Sequence, residues 1–356
     1  MAGDRILAPA LVEAVADVFR AVGLRASDAA LVAEDLVAAD VDGVASHGVA
    51  LVPMYVDRIR AGSVSKASAG IVVSDRAGSI VIDAQDVLGQ LTARQAVSLA
   101  AARAKMNGLA AVSVRNAFHF GAAGRYARML ADEGCVGIVM SNTRPLMPAP
   151  GGAEPLTGNN PVAIAAPSVG VFPAEVDMAL SAVAMGKIRN AAAAGEAIPH
   201  GWAVDRQGLP TTNPSAAIEG MLLPAAGPKG FGLAFMVDLL CGGLSDGAIG
   251  PEVSPLYGDV AKPYRCSNFF LAIHVDHFVP SGRFGERVEA ELARVAASRR
   301  APGTDRVFAP GELAFDARMR MDGHCRLAPA TLSNLIQVGR SLDLDLQSTI
   351  MKGTVQ

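Results

Sequence analysis

The chain has 356 residues, 51% of them hydrophobic and 18% charged, and its 31 basic and 34 acidic side chains leave a net charge of −3. That size exceeds the usual single core and calls for two or three lobes, and the apolar fraction excludes an intrinsically disordered chain. No basic tract marks a nucleic-acid surface, and no apolar run approaches the roughly 20 residues that span a bilayer.

Met1-Ala2-Gly3-Asp4-Arg5 leads into an amphipathic helix rather than a signal peptide, which points to a cytoplasmic protein. Leu11, Val15, Val18, Phe19 and Val22 recur at helical spacing. Ser27-Asp28 opens a second helical run through Leu36 and Val37, and a third helix is predicted over 49–60, stopped by Gly62. Ser46-His47-Gly48 then lies in the turn entering that helix, where free backbone N–H groups favour an anionic ligand. From Ile71 the period changes. Strands at 71–73 and 80–82, a helix over 91–106, a strand at 110–114, a helix over 122–133 and a strand at 136–140 make an α/β pattern.

After Pro145 the chain is rich in turns, with Pro150-Gly151-Gly152 and Gly158-Asn159-Asn160-Pro161. Strands at 162–166 and 174–178 and a helix over 182–193 follow. Further helices are predicted over 229–240, 285–299 and 329–342, with a strand at 269–275. The helical segment 1–66 is expected to pack with 301–356, around an α/β region, 67–300, that binds cofactor and substrate.

Several signatures fail on context. Gly243-Leu244-Ser245-Asp246-Gly247 has the spacing of a hydrolase nucleophile elbow but follows a helix, where an elbow must follow a strand. A serine hydrolase would therefore need a strand that the sequence does not predict. Gly230-Phe231-Gly232 lacks the third glycine of a dinucleotide fingerprint and has no strand directly before it. His274 and His277, three apart on a predicted strand, fall on opposite faces and chelate poorly, and no metal signature occurs. Cys135, Cys241, Cys266 and Cys325 are scattered without a C-x-x-C pair and read as free buried thiols.

Three features survive. His47, between Ser46 and Gly48, can move a proton near neutral pH, since an unperturbed imidazole has a pKa of about 6.5. His119 lies 72 residues later and precedes a Gly-x-x-Gly turn, whose amides from Gly121 to Gly124 could cradle a pyrophosphate. Lys229 opens a helix, where it opposes the dipole, so a bound anion would explain it better than solvent does. The bland readings are a histidine satisfied in the core, a glycine turn made for packing and an ordinary surface lysine.

Taken in order, these segments resemble the type-2 malate/L-lactate dehydrogenase family of NAD(P)-dependent oxidoreductases. The resemblance rests on Asp42-Gly43, Ser46-His47-Gly48, His119-Phe120-Gly121, Pro150-Gly151-Gly152, Gly158-Asn159-Asn160-Pro161 and Asp177-Met178-Ala179. It continues through Ala184-Met185-Gly186-Lys187, Gly201-Trp202, Pro210-Thr211-Thr212-Asn213-Pro214, Lys229-Gly230 and Pro310-Gly311-Glu312. It implies an α/β fold of non-Rossmann type, with a largely antiparallel nucleotide-binding sheet and helical terminal segments, in a homodimer that binds NAD or NADP and a small 2-hydroxy or 2-oxo acid. By the same resemblance His47 moves the proton, polarised by Ser46, in a role shared with His119. His119, Gly121, Ala122, Ala123, Gly124, Ser141, Asp177, Met178, Ala179, Lys229, Pro310, Gly311 and Glu312 would line the cofactor, and Asn159 and Lys187 the substrate.

The chain departs from that pattern in three places. Leu51 replaces an arginine able to grip a carboxylate bidentately. Asn159 and Leu180 replace threonines. Arg144, after Ser141-Asn142 at a strand end, is expected to take over the carboxylate grip. Lys187 stands where imine-reducing relatives carry aspartate, which argues against that reaction. A cyclic imino acid reductase, and a catalytically silent member that only binds nucleotide, remain the alternatives.

Overall fold

The computed structural model describes residues 5–351, so the opening Met1-Ala2-Gly3-Asp4 lies outside the described residues. Strand β1 (Arg5–Leu7) runs straight into helix α1 (Ala8–Ala21), whose proline in the first turn forfeits no helical hydrogen bond. Helix α2 (Ala26–Val41) packs its Val32, Leu36 and Val37 toward the same interior as Leu11, Val15 and Phe19 of α1. The helix predicted from Val49 starts later. Two 3₁₀ turns, Ala45–His47 and Val49–Leu51, precede α3 (Val52–Arg60), because extended Gly48 interrupts the helical ladder between them.

The α/β alternation follows with β2 (Ile71–Arg76), β3 (Ser79–Asp83), α4 (Gly89–Asn107), β4 (Leu109–Ala117), α5 (Ala123–Asp132) and β5 (Cys135–Ser141). A short hairpin of β6 (Met147–Pro148) and β7 (Pro155–Thr157) leads to β8 (Val162–Ala166), β9 (Ala174–Met178) and α6 (Met185–Ala194). Then come β10 (Ala203–Val204), α7 (Pro214–Glu219), β11 (Met221–Leu222) and α8 (Pro228–Asp238), which runs into a π turn over Leu239–Gly243. The chain closes with β12 (Cys266–His274), α9 (Arg283–Ala296), α10 (Glu312–Met321), β13 (His324–Arg326), α11 (Pro329–Arg340) and α12 (Leu346–Met351).

Seven strands form one sheet in the order β2-β3-β4-β12-β5-β8-β9. Only β3 and β4 run parallel, and every other neighbouring pair is antiparallel. Late strand β12 inserts between β4 and β5, and its pleat divides the interior in two. Phe270 and Ala272 join the core under α4 and α5, while Phe269 and Leu271 face the core shared with α8. The first core extends without a break from Ile6, Leu11 and Phe19 to Val112, Cys325 and Ile350. Strand β1 pairs with β13, setting Arg5 opposite Arg326.

Two readings need correction. The helix predicted from Ala182 begins at Met185, and α10 was not anticipated. His274 and His277 do not sit on opposite faces: β12 ends at His274, and a 3₁₀ turn brings the two ring centroids to 5.6 Å. Among the described residues no group of three or more His, Cys, Asp or Glu could hold a metal ion, and no helix is long and apolar enough to cross a membrane. All four cysteines are free and buried.

Candidate active site

The loop carrying His47 is fixed from beneath by Asp40, which helical spacing puts on the buried face of α2 beside Leu36 and Val37. Asp40 Oδ2 accepts the Val49 N–H at 2.7 Å. A Cβ on Gly48 would stand 2.1 Å from that oxygen, so only hydrogen fits there. Burial pushes the Asp40 carboxyl up to about 6, opposed by the Val49 N–H. Above this support Ser46 Oγ lies 2.9 Å from His47 Nδ1.

His119 follows the end of β4, where a Cβ on Gly89 would meet the carbonyl of Phe118 at 2.3 Å and that of His119 at 2.5 Å. The start of α4 therefore presses directly on this segment. Its ring is held from α3 by fully buried Tyr55, whose hydroxyl lies 2.8 Å from His119 Nδ1 and donates to the His119 carbonyl at 3.1 Å. Gln90 Nε2 donates to the same hydroxyl at 3.0 Å. The outcome is convergence. The rings of His47 and His119 stack with centroids 5.5 Å apart and planes 20° apart.

Their protonation differs. Burial pushes His119 down to about 3, and the nearby charge of His47 adds to the effect, so His119 is neutral across the physiological range. Burial also holds His47 below the ordinary histidine value, but Asp177 acts in the opposite sense. The Asp177 carboxyl is itself raised by desolvation, against the Gly124 N–H and the charge of His47.

At each of the two helix starts predicted to offer free amides, one amide is already occupied. Val49 gives its N–H to Asp40, and Gly124, in the first turn of α5, gives its own to Asp177 Oδ2 at 2.9 Å. Carboxylates favour such positions because the helix dipole is positive there. A Cβ on Gly124 would lie 2.5 Å from Glu175 Oε1. Glu175 pairs with Arg128 at 2.6 Å; Arg128 also binds Asp42, and Asp42 holds Arg318 of α10 at 2.7 Å. Gly311, at φ +93°, packs against the Pro173 carbonyl, which brings the Pro310-Gly311 run onto the start of β9 at Glu175.

Two residues expected to line a cofactor turn elsewhere. Ser141 is buried and accepts a hydrogen bond from Asn268 Nδ2 at 2.9 Å inside the sheet. Glu312 is buried too; it accepts the Ala309 N–H at 2.8 Å and pairs with Arg306. Gly121 faces the His47 carbonyl and Gln90 of α4. Ala122 is half-buried and Ala123 buried at the start of α5, whereas Met178 is exposed and Ala179 half-buried. Lys187 and Lys229 are exposed in the first turns of α6 and α8.

Asn159 Oδ1 accepts from the Thr143 hydroxyl at 2.9 Å, while fully buried Asn160 ties the same loop to Thr157 and to the Ala234 carbonyl. Arg144 is exposed, has no carboxylate partner among the described residues and acts on the Tyr264 phenol; that ring stands edge-on to Phe118, next to His119. Leu51 and Leu180 are both buried in the two cores. Ser245 is buried at the end of the α8 segment with its hydroxyl turned to the carbonyls of Cys241 and Gly242, at 2.7 and 3.1 Å. Its surroundings are those of a helix end, not of a nucleophile elbow.

Sequence reasoning missed Asp40, Tyr55 and Gln90. A signal existed for one of them, a carboxylate in the apolar stripe of α2. Tyr55 and Gln90 read as ordinary helix residues, because what sets them apart is a partner distant in sequence.

A model of the malate/L-lactate dehydrogenase family matches residues 6–335. The chain is 38% identical over 301 residues to a malate dehydrogenase of Pyrococcus horikoshii, covering 82% of each. It is 39% identical over 290 residues to a (2R)-3-sulfolactate dehydrogenase (NADP(+)) of Chromohalobacter salexigens, covering 80% of this chain and 86% of that one. Among solved structures, the sulfolactate dehydrogenase from Methanocaldococcus jannaschii superposes with a TM-score of 0.91 at 30% identity, covering 97% of this chain and 99% of that one.

Proposed function

The chain belongs to the malate/L-lactate dehydrogenase family, and we propose that it is an NAD(P)-dependent oxidoreductase interconverting a small 2-hydroxy acid and its 2-oxo acid. The observation that carries this reading is the stacked pair of imidazoles, His47 and His119, 5.5 Å apart.

The residues suit a nicotinamide cofactor. A Cβ built on Gly121, at φ +87°, would meet nothing nearer than the His47 carbonyl at 3.9 Å and Gln90 Nε2 at 4.0 Å, so the backbone here is uncrowded next to the segment that carries His47. His119, Gly121, Asp177, Met178, Ala179 and Lys229 would hold the cofactor, and a bound nicotinamide supplies or takes the hydride. His47 does the proton work. As imidazolium it gives a proton to the carbonyl oxygen of a 2-oxo acid; as neutral imidazole it takes one from the 2-hydroxy acid. Ser46 at Nδ1 steadies the ring, which leaves Nε2 to face the substrate. Arg144 takes the substrate carboxylate in place of the family arginine lost at Leu51, with Asn159 and Lys187 beside it. The assembly we infer is a homodimer, supported by the apolar face of α8, where Leu233, Phe235 and Met236 are exposed.

The test follows nicotinamide absorbance with NADH and NADPH against pyruvate, oxaloacetate, 3-sulfopyruvate and a cyclic imino acid. Oxidation with a 2-oxo acid, lost in His47→Asn, is the expected result. Oxidation with the imine alone, or with none of these probes, overturns the proposal.

A further inference from the structure

Asp238 is the last residue of α8, and its carboxylate is buried where the helix passes into the π turn. Burying a carboxylate is costly unless donors satisfy it. Among the described residues no Lys, Arg or His pairs with this one. What faces it is neutral: burial raises the carboxyl, and the side chains of Thr157, Asn160 and Asn142 and the Gly250 N–H oppose that rise. The hydrogen bonds around it lead away from α8 to the two loops that carry Arg144 and Asn159.

The direction of each bond is set by groups that can play one part only. Asn160 is fully buried at φ +24°, a backbone region that residues other than glycine rarely adopt. Its Oδ1 accepts the Thr143 N–H at 2.9 Å, and its Nδ2 donates to the Ala234 carbonyl at 2.8 Å. Those two backbone groups leave the amide a single orientation. The second Nδ2 proton goes to Thr157 Oγ1 at 3.0 Å, so the Thr157 hydroxyl gives its own proton to Asp238 Oδ2 at 2.5 Å. Asp238 is the acceptor on which the series ends. At the other end Thr143 Oγ1 donates to Asn159 Oδ1 at 2.9 Å. The loops meet closely there: a Cβ on Gly158 would collide with Thr143 Oγ1 and Asn160 Oδ1.

We propose that Asp238, Thr157 and Asn160 are positioning residues for substrate binding: from α8 they hold the Thr143 amide in place, and with it the neighbouring Arg144 that takes the substrate carboxylate and Asn159 beside it. The inference rests on the dehydrogenase reading and on the place of Arg144 within it. None of the three touches substrate, and none moves a proton in the reaction. The Arg144 guanidinium makes no hydrogen bond or ion pair among the described residues, so where it stands depends on the backbone that carries it. That backbone is what the buried series fixes.

The experiment combines amide hydrogen exchange of the full-length protein, read without substrate, with steady-state kinetics on the responsive 2-oxo acid. Thr157→Val keeps the shape of the side chain and removes its hydroxyl. Exchange at the Thr143 amide should quicken at least about tenfold. KM should rise about fivefold to tenfold, with kcat changed by less than about threefold. Thr157→Ser, which restores the hydroxyl, should bring KM back to within about twofold of wild type. In an Arg144→Ala chain, Thr157→Val should raise KM by less than about twofold more, because the group it positions is gone. A folded Thr157→Val with wild-type KM or wild-type Thr143 exchange overturns the inference, as does an equal rise of KM with and without Arg144. Asp238→Asn sets an NH2 among donors, should move exchange and KM in the same direction, and serves as the readout if Thr157→Val does not fold; unchanged values overturn the inference. Inactivity of the wild type toward every probe, with a Thr143 amide that still responds to Thr157→Val, would overturn the dehydrogenase reading and the substrate role drawn from it, while the hydrogen-bonded series stands.

Discussion

Asp177 and His47 each favour the other's charged form, and each does so against its own desolvation. One carboxylate thereby serves two ends: it satisfies the Gly124 amide that starts α5, and it restores part of the basicity that His47 loses in the site.

This relationship fixes a pH dependence. His47 titrates below the ordinary histidine value, so oxidation of the 2-hydroxy acid should rise with pH through that lowered pKa and level off above it. Reduction of the 2-oxo acid should fall over the same interval. Asp177→Asn removes the charge that favours imidazolium, and both limbs should move to lower pH. Profiles of kcat/KM check this; limbs that stay in place or move upward refute the coupling.

Asp40 predicts a stability slope. Its folded value of about 6 lies above the ordinary 3.8, so the folded chain binds this proton more tightly than the unfolded chain. Stability should be favoured below about 4 and decline as pH rises to about 6, by about 3 kcal/mol from this group. Asp40→Asn should flatten that stretch of a urea-melt series recorded against pH. A variant with the wild-type slope would contradict the assignment.

Gly48→Ala tests the same contact sterically. The added methyl lies 2.1 Å from Asp40 Oδ2, so either the loop shifts or the Val49 bond breaks. A stability loss of about 2 kcal/mol is expected, with kcat/KM down about a hundredfold as His47 is displaced. Asp40→Ala in the same chain should recover part of the stability, which a double-mutant cycle measures.

Arg58 has no accessible surface and, among the described residues, no carboxylate partner; it is held by the carbonyls of Leu256, Lys262 and Pro255 and by Ser63. It pins residues 255–262 to α3. Arg58→Met should strip several buried carbonyls of their donor and cost about 2–4 kcal/mol, with faster hydrogen exchange confined first to 255–262. Unchanged exchange there would mean the segment is held by other contacts.

Arg144→Ala should raise KM for the responsive 2-oxo acid at least about tenfold with a smaller effect on kcat, as loss of a charged carboxylate contact does. An unchanged KM would remove Arg144 from substrate binding.

Much of the fold is legible in the sequence because its long elements have clear periods. Leu11, Val15 and Phe19 announce α1, and 136–140 falls within β5. The three residues of β1 and β13 carry no period, and their pairing depends on partners at opposite ends of the chain. The helix read from Val49 begins instead at Val52 because extended Gly48 and the 3₁₀ turn after it, whose first amide goes to Asp40, are set by a partner that local rules do not see. In the site, glycine beside histidine marks His47 and His119. Tyr55 and Gln90 are silent in sequence because a buried tyrosine on a helix is ordinary until its hydroxyl finds a ring 64 positions later. The carboxylates at the starts of α5 and of the second 3₁₀ turn were hidden for a like reason: each comes from another element.

The clasp of β1 with β13 has a bearing on synthesis. Helices α1 and α2 leave the ribosome early, but Cys325, Leu335 and Ile350, which complete their core, emerge about three hundred residues later. Until then the first two helices have each other and the elements that follow them for cover, but the side of their core closed by Cys325, Leu335 and Ile350 stays open through most of translation. Closure of this clasp comes late, and a ribosome stalled before β13 would present a nascent chain with that side of the core unfilled.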